Sequence, residues 1–491
     1  MAEPEVATLE DTPSSSPGGV VPMQAHLFVG LECDRPGSGG ARYALASIDE
    51  VLVGRGADRG AARQVSGGVT RLKVTVPGRS MSSTHARFLR TSEGWVLEDA
   101  RSTNGSFVNG QRVDRVRLRD LDLIELGHTV FSLREAVPTP PGTPPIFDTQ
   151  QTPAPDPDLT TLLPALGKDF ETLVRFAGSP IPLLILGETG TGKEVVARAM
   201  HRLSRRGGPF VAVNCGALPA NLVESQLFGH VRGAFSGANR DEPGFVRAAE
   251  HGTLLLDEIG DLPAVAQATL LRVLQEHEVV PVGSARAIPI DVRVIAATHG
   301  ELDQLAERGR FRSDLLARID GYRIRLPSLS SRREDLGLLI GALLHREMKA
   351  GEPHLTPGAG VALMAHPWRL NVRELAHRLK GAVLLAGDGP ISEAHLRLSA
   401  THRDVESAKN TPIDTRSPIA AEDEELKKQL LFSLQRHCGN VSEVAREMNR
   451  ARMQIHRWMK RFSIDPSTFR DGEPPSEDDD EQAASAETRS K

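Results

Sequence analysis

Cysteine is scarce in this chain, and what there is does not cluster. Cys33, Cys215 and Cys438 stand far apart among 491 residues. No two of them have metal-ligand spacing, which argues against a thiolate metal centre and fits a reduced cytoplasm. Long apolar runs are also missing, since none approaches the ~18 residues that a membrane span requires. The opening Met1-Ala2-Glu3-Pro4-Glu5 is acidic and has no apolar core, unlike a signal peptide. There is no excess of positive charge: the net value of -5 gives no whole-chain case for nucleic-acid binding. No internal repeat is visible. What is present is ordinary for soluble globular protein, with 25% charged and 39% hydrophobic residues. The length predicts several domains and the whole predicts a soluble, cytoplasmic protein.

Distribution is more informative than totals. Residues 1–24, rich in Pro, Ser, Gly and acids, are expected to be disordered. Over 25–135 short strand-like runs dominate: His26-Leu27-Phe28-Val29, Val51-Leu52-Val53, Leu72 to Val76, Ala86 to Leu89 and Trp95-Val96-Leu97. Turn residues separate them closely, which predicts an all-β sandwich. Eight prolines between Val137 and Asp158 predict an extended linker over 136–158 with little to bury. Over 159–400 the apolar runs Ile181 to Leu186, Phe210 to Val213, Thr253 to Leu256 and Val292 to Ala297 alternate with helical segments. That is the pattern of a parallel α/β sheet, with a helical subdomain from about residue 332. A second linker covers 401–418, a short all-α domain 419–466, and an acidic tail, expected to be disordered, 467–491. From Arg446 to Arg461 there are six Arg or Lys against the single acid Glu447; from Asp471 to Glu487 there are eight acids and no base. The basic stretch points to DNA.

Two patterns in the α/β region carry chemistry. Gly187-Glu188-Thr189-Gly190-Thr191-Gly192-Lys193-Glu194 follows an apolar strand and opens a helix. Its glycines let backbone N–H groups turn toward phosphates, Lys193 adds a point charge, and the helix terminus a positive dipole. Glu194 stands where many such loops carry a Mg²⁺-binding hydroxyl, so Thr191 and the next acids share the metal shell. Those acids end the apolar run Leu254-Leu255-Leu256-Asp257-Glu258. Asp257 would hold Mg²⁺ and Glu258 would orient and deprotonate the attacking water of ATP hydrolysis.

About forty residues beyond the phosphate loop comes Gly233-Ala234-Phe235-Ser236-Gly237-Ala238, preceded by Glu224-Ser225-Gln226-Leu227-Phe228-Gly229-His230. Together with the phosphate loop these segments resemble the AAA+ engine of the sigma-54-dependent transcription activators, the bacterial enhancer-binding proteins. Ser236 replaces that family's threonine, and Gln226 its second glutamate. The resemblance covers about 159–386 and implies further roles. Asn214 would hold the catalytic glutamate at rest. Thr298 would sense the γ-phosphate, with His299 where many relatives have Asn. Arg312 and Arg318, in Gly309 to Arg318, would reach a neighbouring subunit's site in a hexameric ring. Arg373, in Asn371-Val372-Arg373-Glu374-Leu375, would be the second sensor. Arg369-Leu370 departs from the Pro-Gly usual there. The loop around Phe235 would push on the sigma factor of sigma-54 RNA polymerase.

Before this engine, Gly54-Arg55, Ser82-Ser83-Thr84-His85 and Ser102-Thr103-Asn104-Gly105 fall on predicted turns. They resemble the pattern of forkhead-associated (FHA) domains, which bind phosphothreonine peptides. By that resemblance Arg55 would pair with the phosphate and Ser82 donate a second bond. Asn104 would align the peptide, Thr103 and Ser83 would flank the pocket, and His85 would brace the loops. The ligand would be a phosphothreonine protein, a Ser/Thr kinase among the candidates. Thr139, Thr143 and Thr152, each followed by Pro, offer self-recognition as another source. After the engine, Gly439 to Ala445 resembles the opening of a Fis-type helix-turn-helix. Its last helix would present Arg452, Gln454, His456, Arg457 and Lys460 to double-stranded DNA, with Met453 and Trp458 inward.

The expected protein is a phosphothreonine-regulated, sigma-54-dependent activator with ATP and Mg²⁺ as cofactors. Two other readings fit parts of the sequence. One is a phosphopeptide-regulated DNA-binding ATPase that never touches sigma-54; the other is a generic protein-remodelling ATPase.

Overall fold

The structure, a computed structural model, describes residues 21–347 and 354–398, and beyond them 430, 433–437, 440–448, 452, 455, 458, 459 and 464. The chain divides into two compact units, residues 1–401 and 402–491. The first begins with the strands β1 (Met23–Glu32), β2 (Ala41–Ala44), β3 (Glu50–Arg55), β4 (Gly60–Ser66), β5 (Val69–Val76), β6 (Ala86–Thr91), β7 (Gly94–Asp99), β8 (Ser106–Val108), β9 (Gln111–Val113), β10 (Arg115–Arg117), β11 (Leu123–Leu126), β12 (Thr129–Pro138) and β13 (Ile146–Asp148). They form a seven-stranded sheet, β13-β2-β1-β12-β11-β8-β9, facing a six-stranded sheet, β10-β7-β6-β3-β5-β4. Alternating side chains such as Leu27 and Val29, Val51 and Val53, and Phe88 and Leu97 fill the space between them. This is the expected sandwich, and all five predicted strand runs lie in it.

The segment 136–158 is more than a linker with little to bury. β12 continues to Pro138, Thr139 is buried, and β13 adds to the sheet edge beside β2. Asp148 carries it inward, taking both Arg59 Nη2 at 2.7 Å and Nε at 2.8 Å. Arg59 Nη1 also reaches Glu32 at 2.9 Å. A bidentate, fully buried ion pair is a reason for order that proline counting cannot register. β1 itself begins at Met23, inside the stretch expected to be disordered, of which residues 1–20 lie outside the described residues.

The second layer contains α1 (Pro164–Phe176), β14 (Leu183–Leu186), α2 (Lys193–Ser204), β15 (Phe210–Asn214), β16 (Thr253–Asp257), α3 (Ala264–Glu276), β17 (Arg293–Thr298), α4 (Ser313–Ile319) and β18 (Tyr322–Arg325). The sheet order is β15-β16-β17-β14-β18, with neighbours parallel. Its strands are apolar at consecutive positions because helices cover both faces. Leu184, Leu254 and Leu256 pack on one side, while Leu183, Ile185 and Leu255 pack on the other.

The helical subdomain, α5 (Leu336–Glu347), α6 (Pro357–Ala365), α7 (Asn371–Ala386) and α8 (Glu393–Leu396), closes this unit. It does not stand apart from the sandwich. Leu31, Cys33, Leu123 and Val130 share one core with Leu336, Ile340, Leu344, Leu363 and Met364. An antiparallel sheet usually leaves one face wet, yet β1 is buried on both from His26 onward. The helical subdomain, which lies as a lid on the α/β layer, is what covers that second face. At Gly337 a side chain would stand 1.6 Å from the carbonyl oxygen of Gly30, so helix and strand meet backbone to backbone. Leu355 N donates to Cys33 O at 2.9 Å. Arg134 pairs with Glu334. Asp335 accepts from Thr161 Oγ1 and from Leu162 N, both at 2.7 Å. Burial pushes the carboxyl of Asp335 up to about 6.

In the second unit, Val441–Glu447 is helical and Asn440 caps it, its side chain accepting from Ser442 N. Leu430, Leu434, Val444, Ile455 and Met459 form a small core with Trp458 against it. Two stretches read from the sequence, 401–418 and 467–491, lie outside the described residues.

Candidate functional site

The phosphate loop leaves β14 at the carboxyl edge of the parallel sheet and runs into α2, the usual ligand edge of such sheets. Gly190 has φ +80°, and a side chain there would stand 2.4 Å from Leu370 O. Conformation and contact both require glycine. Lys193 is buried, its Nζ donating to Gly187 O at 2.9 Å and standing 3.5 Å from Glu258 Oε1. A buried ammonium held mainly by carbonyls is suited to receive phosphate oxygens. Thr191 is buried, and its hydroxyl donates to Glu188 O at 2.8 Å.

Asp257 ends β16 and Glu258 follows in the left-handed region, φ +52°. The carboxyl of Asp257 is raised by burial and by the neighbouring charge of Glu258. That of Glu258 feels burial pushing it up, but bonds from the His299 backbone and imidazole, with Lys193, hold it below the ordinary value. His299 Nδ1 lies 2.6 Å from Glu258 Oε2, and His299 N donates to the same oxygen at 3.1 Å. Asp257 has no ion-pair partner among the described residues. A hard carboxylate beside a phosphate loop fits Mg²⁺, with the lone pairs of Thr191 Oγ1 as a second donor.

Asn214, expected to hold Glu258 at rest, does not bond to it in this structure. Its Oδ1 instead accepts from Gly216 N at 3.0 Å, capping a turn, and His299 occupies the glutamate. An imidazole reaches further than an amide, and His299 adjoins Thr298 at the end of the neighbouring strand. Thr298 is buried, its hydroxyl accepting from Gly300 N at 3.0 Å.

Arg373 is exposed with its Cβ beside Gly190. Two residues that sequence reading left without a role tie lid to phosphate loop: Arg332, whose Nη2 donates to Thr191 O at 2.6 Å, and Asn371. Asn371 has φ +57° and is 1% exposed. Its Nδ2 donates to Glu188 Oε2 and Thr189 O, each at 3.1 Å, and its Oδ1 accepts from Leu329 N at 2.7 Å. The signal was there: asparagine tolerates the left-handed region. Trp368, φ +45°, and Asn371 shape the turn around Arg369-Leu370. Arg312 pairs with Asp314 at 2.7 Å, and Arg318 Nη2 donates to Leu274 O at 2.9 Å. Neither guanidinium touches the phosphate loop of its own chain among the described residues.

The Phe235 segment is a tight arm. Gly233 N donates to Ala238 O at 2.9 Å and Ala238 N to Phe235 O at 3.0 Å. Gly233 and Gly237 have φ of +82° and +105°. Ala238 is buried at the base, Ala234 rests against Gly283, and Ser236 is exposed. Phe235 is 36% exposed, its ring 5.0 Å from that of His230.

At one end of the sandwich the loops after β3, β5 and β7 meet. Arg55 N donates to Ser82 O at 2.8 Å, and Thr103 N to Ser82 Oγ at 3.1 Å. Asn104 Nδ2 donates to Ser80 O at 2.9 Å. His85, fully buried, accepts from Ser82 N and lies 3.1 Å from Gly105 O, so it braces two loops at once. The side chains of Arg55, Ser83, Thr103 and Asn104 are exposed around this seam. Thr139 and Thr143 are tied down by their own bonds to Val137 O and Pro140 O, within the segment 136–158 rather than at these loops.

Of the predicted DNA-contacting residues, Arg452 is helical and exposed. Gln454, His456, Arg457 and Lys460 lie outside the described residues. No helix among the described residues is long and apolar enough to cross a membrane.

Three family models match the chain: the sigma-54 interaction domain over residues 161–325, the FHA domain over 51–127, and the AAA+ ATPase lid domain over 330–412. The acetoin catabolism regulatory protein of Cupriavidus necator is 42% identical over 397 residues, 75% of this chain and 59% of that protein's length. The transcriptional regulatory protein GlrR of Escherichia coli is 39% identical over 317 residues, 64% of this chain and 70% of its own. The sigma54-dependent transcriptional activator SfnR of Pseudomonas putida is 44% identical over 258 residues, 50% of this chain and 70% of its own.

Proposed function

The chain belongs to the sigma-54-dependent transcriptional regulators, and from that premise we propose that it is an ATP-hydrolysing activator that opens promoters bound by sigma-54 RNA polymerase. The observation that carries this reading is the joint presence, in one α/β unit, of a buried Lys193 facing Glu258 and an exposed Phe235 on a glycine-hinged arm. Bound Mg²⁺ would neutralise charge on the phosphates, with Asp257 and Thr191 as its protein ligands. Lys193 and the N–H groups of residues 187–194 bind and orient the triphosphate. Glu258 accepts the proton of the attacking water, and His299 fixes its carboxylate meanwhile. Arg312 and Arg318 serve a neighbouring subunit's site in a hexamer, where a planar guanidinium is typically worth about 10³–10⁵ in rate. Thr298 and Arg373 report the state of the γ-phosphate to the arm and the lid.

The sandwich is the regulatory input, reading a phosphothreonine protein through Arg55, Ser82 and Asn104, with Ser83 and Thr103 at the rim. Its seam with the lid supports a direct route from that pocket to Asn371 and Arg373. The carboxy-terminal helices bind enhancer-like DNA in the cytoplasm. Reconstitution with sigma-54 polymerase on a supercoiled promoter tests the proposal. Open complexes should require hydrolysable ATP, and Glu258→Gln should abolish them. Open complexes formed equally well by Glu258→Gln would sink the reading, as would sigma-54-independent activity.

A further inference from the structure

We infer that the hollow between the proline-rich stretch 141–155 and α1 binds a small carboxylate on an apolar body, with Arg42 taking the charge. The inference is independent of the sigma-54 and phosphothreonine readings. The hollow measures about 420 Å³, a size suited to a small organic ligand. Phe147, Phe170 and Val174 give it an apolar wall. Arg42 stands on β2 opposite Phe147 of β13, its guanidinium 4.9 Å from that ring, and is only 5% exposed.

A buried guanidinium is ordinarily matched by a carboxylate, and this one is not. Its Nη1 donates to Leu162 O at 3.0 Å, its Nε has no partner, and no carboxylate pairs with it among the described residues. The two acids that act on it through space are engaged elsewhere. Asp335 accepts from Thr161 and Leu162, and Glu171 accepts from Lys168 Nζ at 3.0 Å. Asp148 pairs with Arg59, Asp156 and Asp158 with Arg202, and Asp169 lines a different hollow. With Lys168 and Arg175, the lining holds three cations against Glu171 alone. An apolar chamber around one unmatched buried cation suits a monoanion whose body is apolar. Gly167 is a second sign. Glycine is disfavoured within a helix such as α1. This one lines the hollow, and a side chain there would meet only Thr161 Cγ2, at 3.7 Å. Its missing side chain leaves the chamber open.

Isothermal titration calorimetry on the full chain at neutral pH compares 4-phenylbutyrate and octanoate with 4-phenylbutanol and acetate. The two apolar acids should bind about 10-fold or more tighter than the alcohol or acetate, and should raise the unfolding temperature of the first unit. Arg42→Met should erase the preference for acid over alcohol. Gly167→Leu should block the acids while the unfolding midpoint stays at or above that of the wild type, which separates a filled hollow from a damaged fold. Alcohol bound as tightly as the acids, or acid binding that survives Gly167→Leu, would overturn the inference. So would the failure of both acids to bind at millimolar concentration.

Discussion

Gly337→Ala and Gly381→Ala make a matched pair that probes the seam between sandwich and lid. Both glycines lie inside lid helices, α5 and α7, so by local propensity alone either change should stabilise by about 0.5–1 kcal/mol. Their surroundings differ. At Gly381 nothing lies within 4 Å of a new side chain, whereas at Gly337 it would sit 1.6 Å from Gly30 O and 3.3 Å from Leu31 Cα. Ordinary C···O approach is about 3.3 Å, so α5 must retreat from β1 by nearly 2 Å. Neither obstructing atom belongs to a side chain that could rotate away. A gap of even 0.5–1 Å forfeits a quarter to a half of each dispersion contact, and this one would loosen Leu31, Val130 and Ile340 together. The expected loss is about 3–5 kcal/mol, the range of a large core deletion. Denaturant unfolding of the full chain, followed in the first unit, supplies the measurement. Gly337→Ala should lower the midpoint and Gly381→Ala raise it slightly. If both moved the same way, or Gly337→Ala left the midpoint unchanged, the described seam would be wrong.

Other expectations follow from single contacts. Glu258→Gln should keep nucleotide affinity, read by a fluorescent analogue, while turnover falls about 10²–10⁴-fold, because an amide cannot take the water's proton. Mixing Lys193→Ala with Arg318→Ala protein should recover ATPase activity that neither shows alone if the arginine serves a neighbour; no recovery would assign it to its own chain. Cys33, fully buried at the seam with its thiol pushed up to about 12 by burial and then by Glu125 and Asp34, should resist alkylation in a Cys438→Ser background. Rapid native labelling of Cys33 would mean that the lid leaves the sandwich readily.

The parts of this protein that were legible in the sequence are those where chemistry demands particular residue types at fixed spacing. Lys193 stands 3.5 Å from Glu258, and Arg55, Ser82 and Asn104 lie on loops that bond to one another. The strands Leu183–Leu186 and Thr253–Asp257 were equally visible, because burial on both faces writes itself as a continuous apolar run. The seam was invisible for the opposite reason. It is made by the absence of side chains at Gly30 and Gly337, which carries no periodicity. The order within 136–158 was missed because Asp148 and Arg59, 89 positions apart, bury each other. His299 could be seen as a departure from relatives, but its bond to Glu258 depends on the adjacency of β16 and β17, which a linear reading does not supply.

The measurement closest to the heart of the account pairs two assays on Phe235→Ala: ATP turnover by the full chain, and open-complex formation by sigma-54 polymerase. The exposed ring stabilises little in its own chain, so turnover should stay within about twofold while promoter opening is lost. Promoter opening at the wild-type rate without that ring would contradict the account.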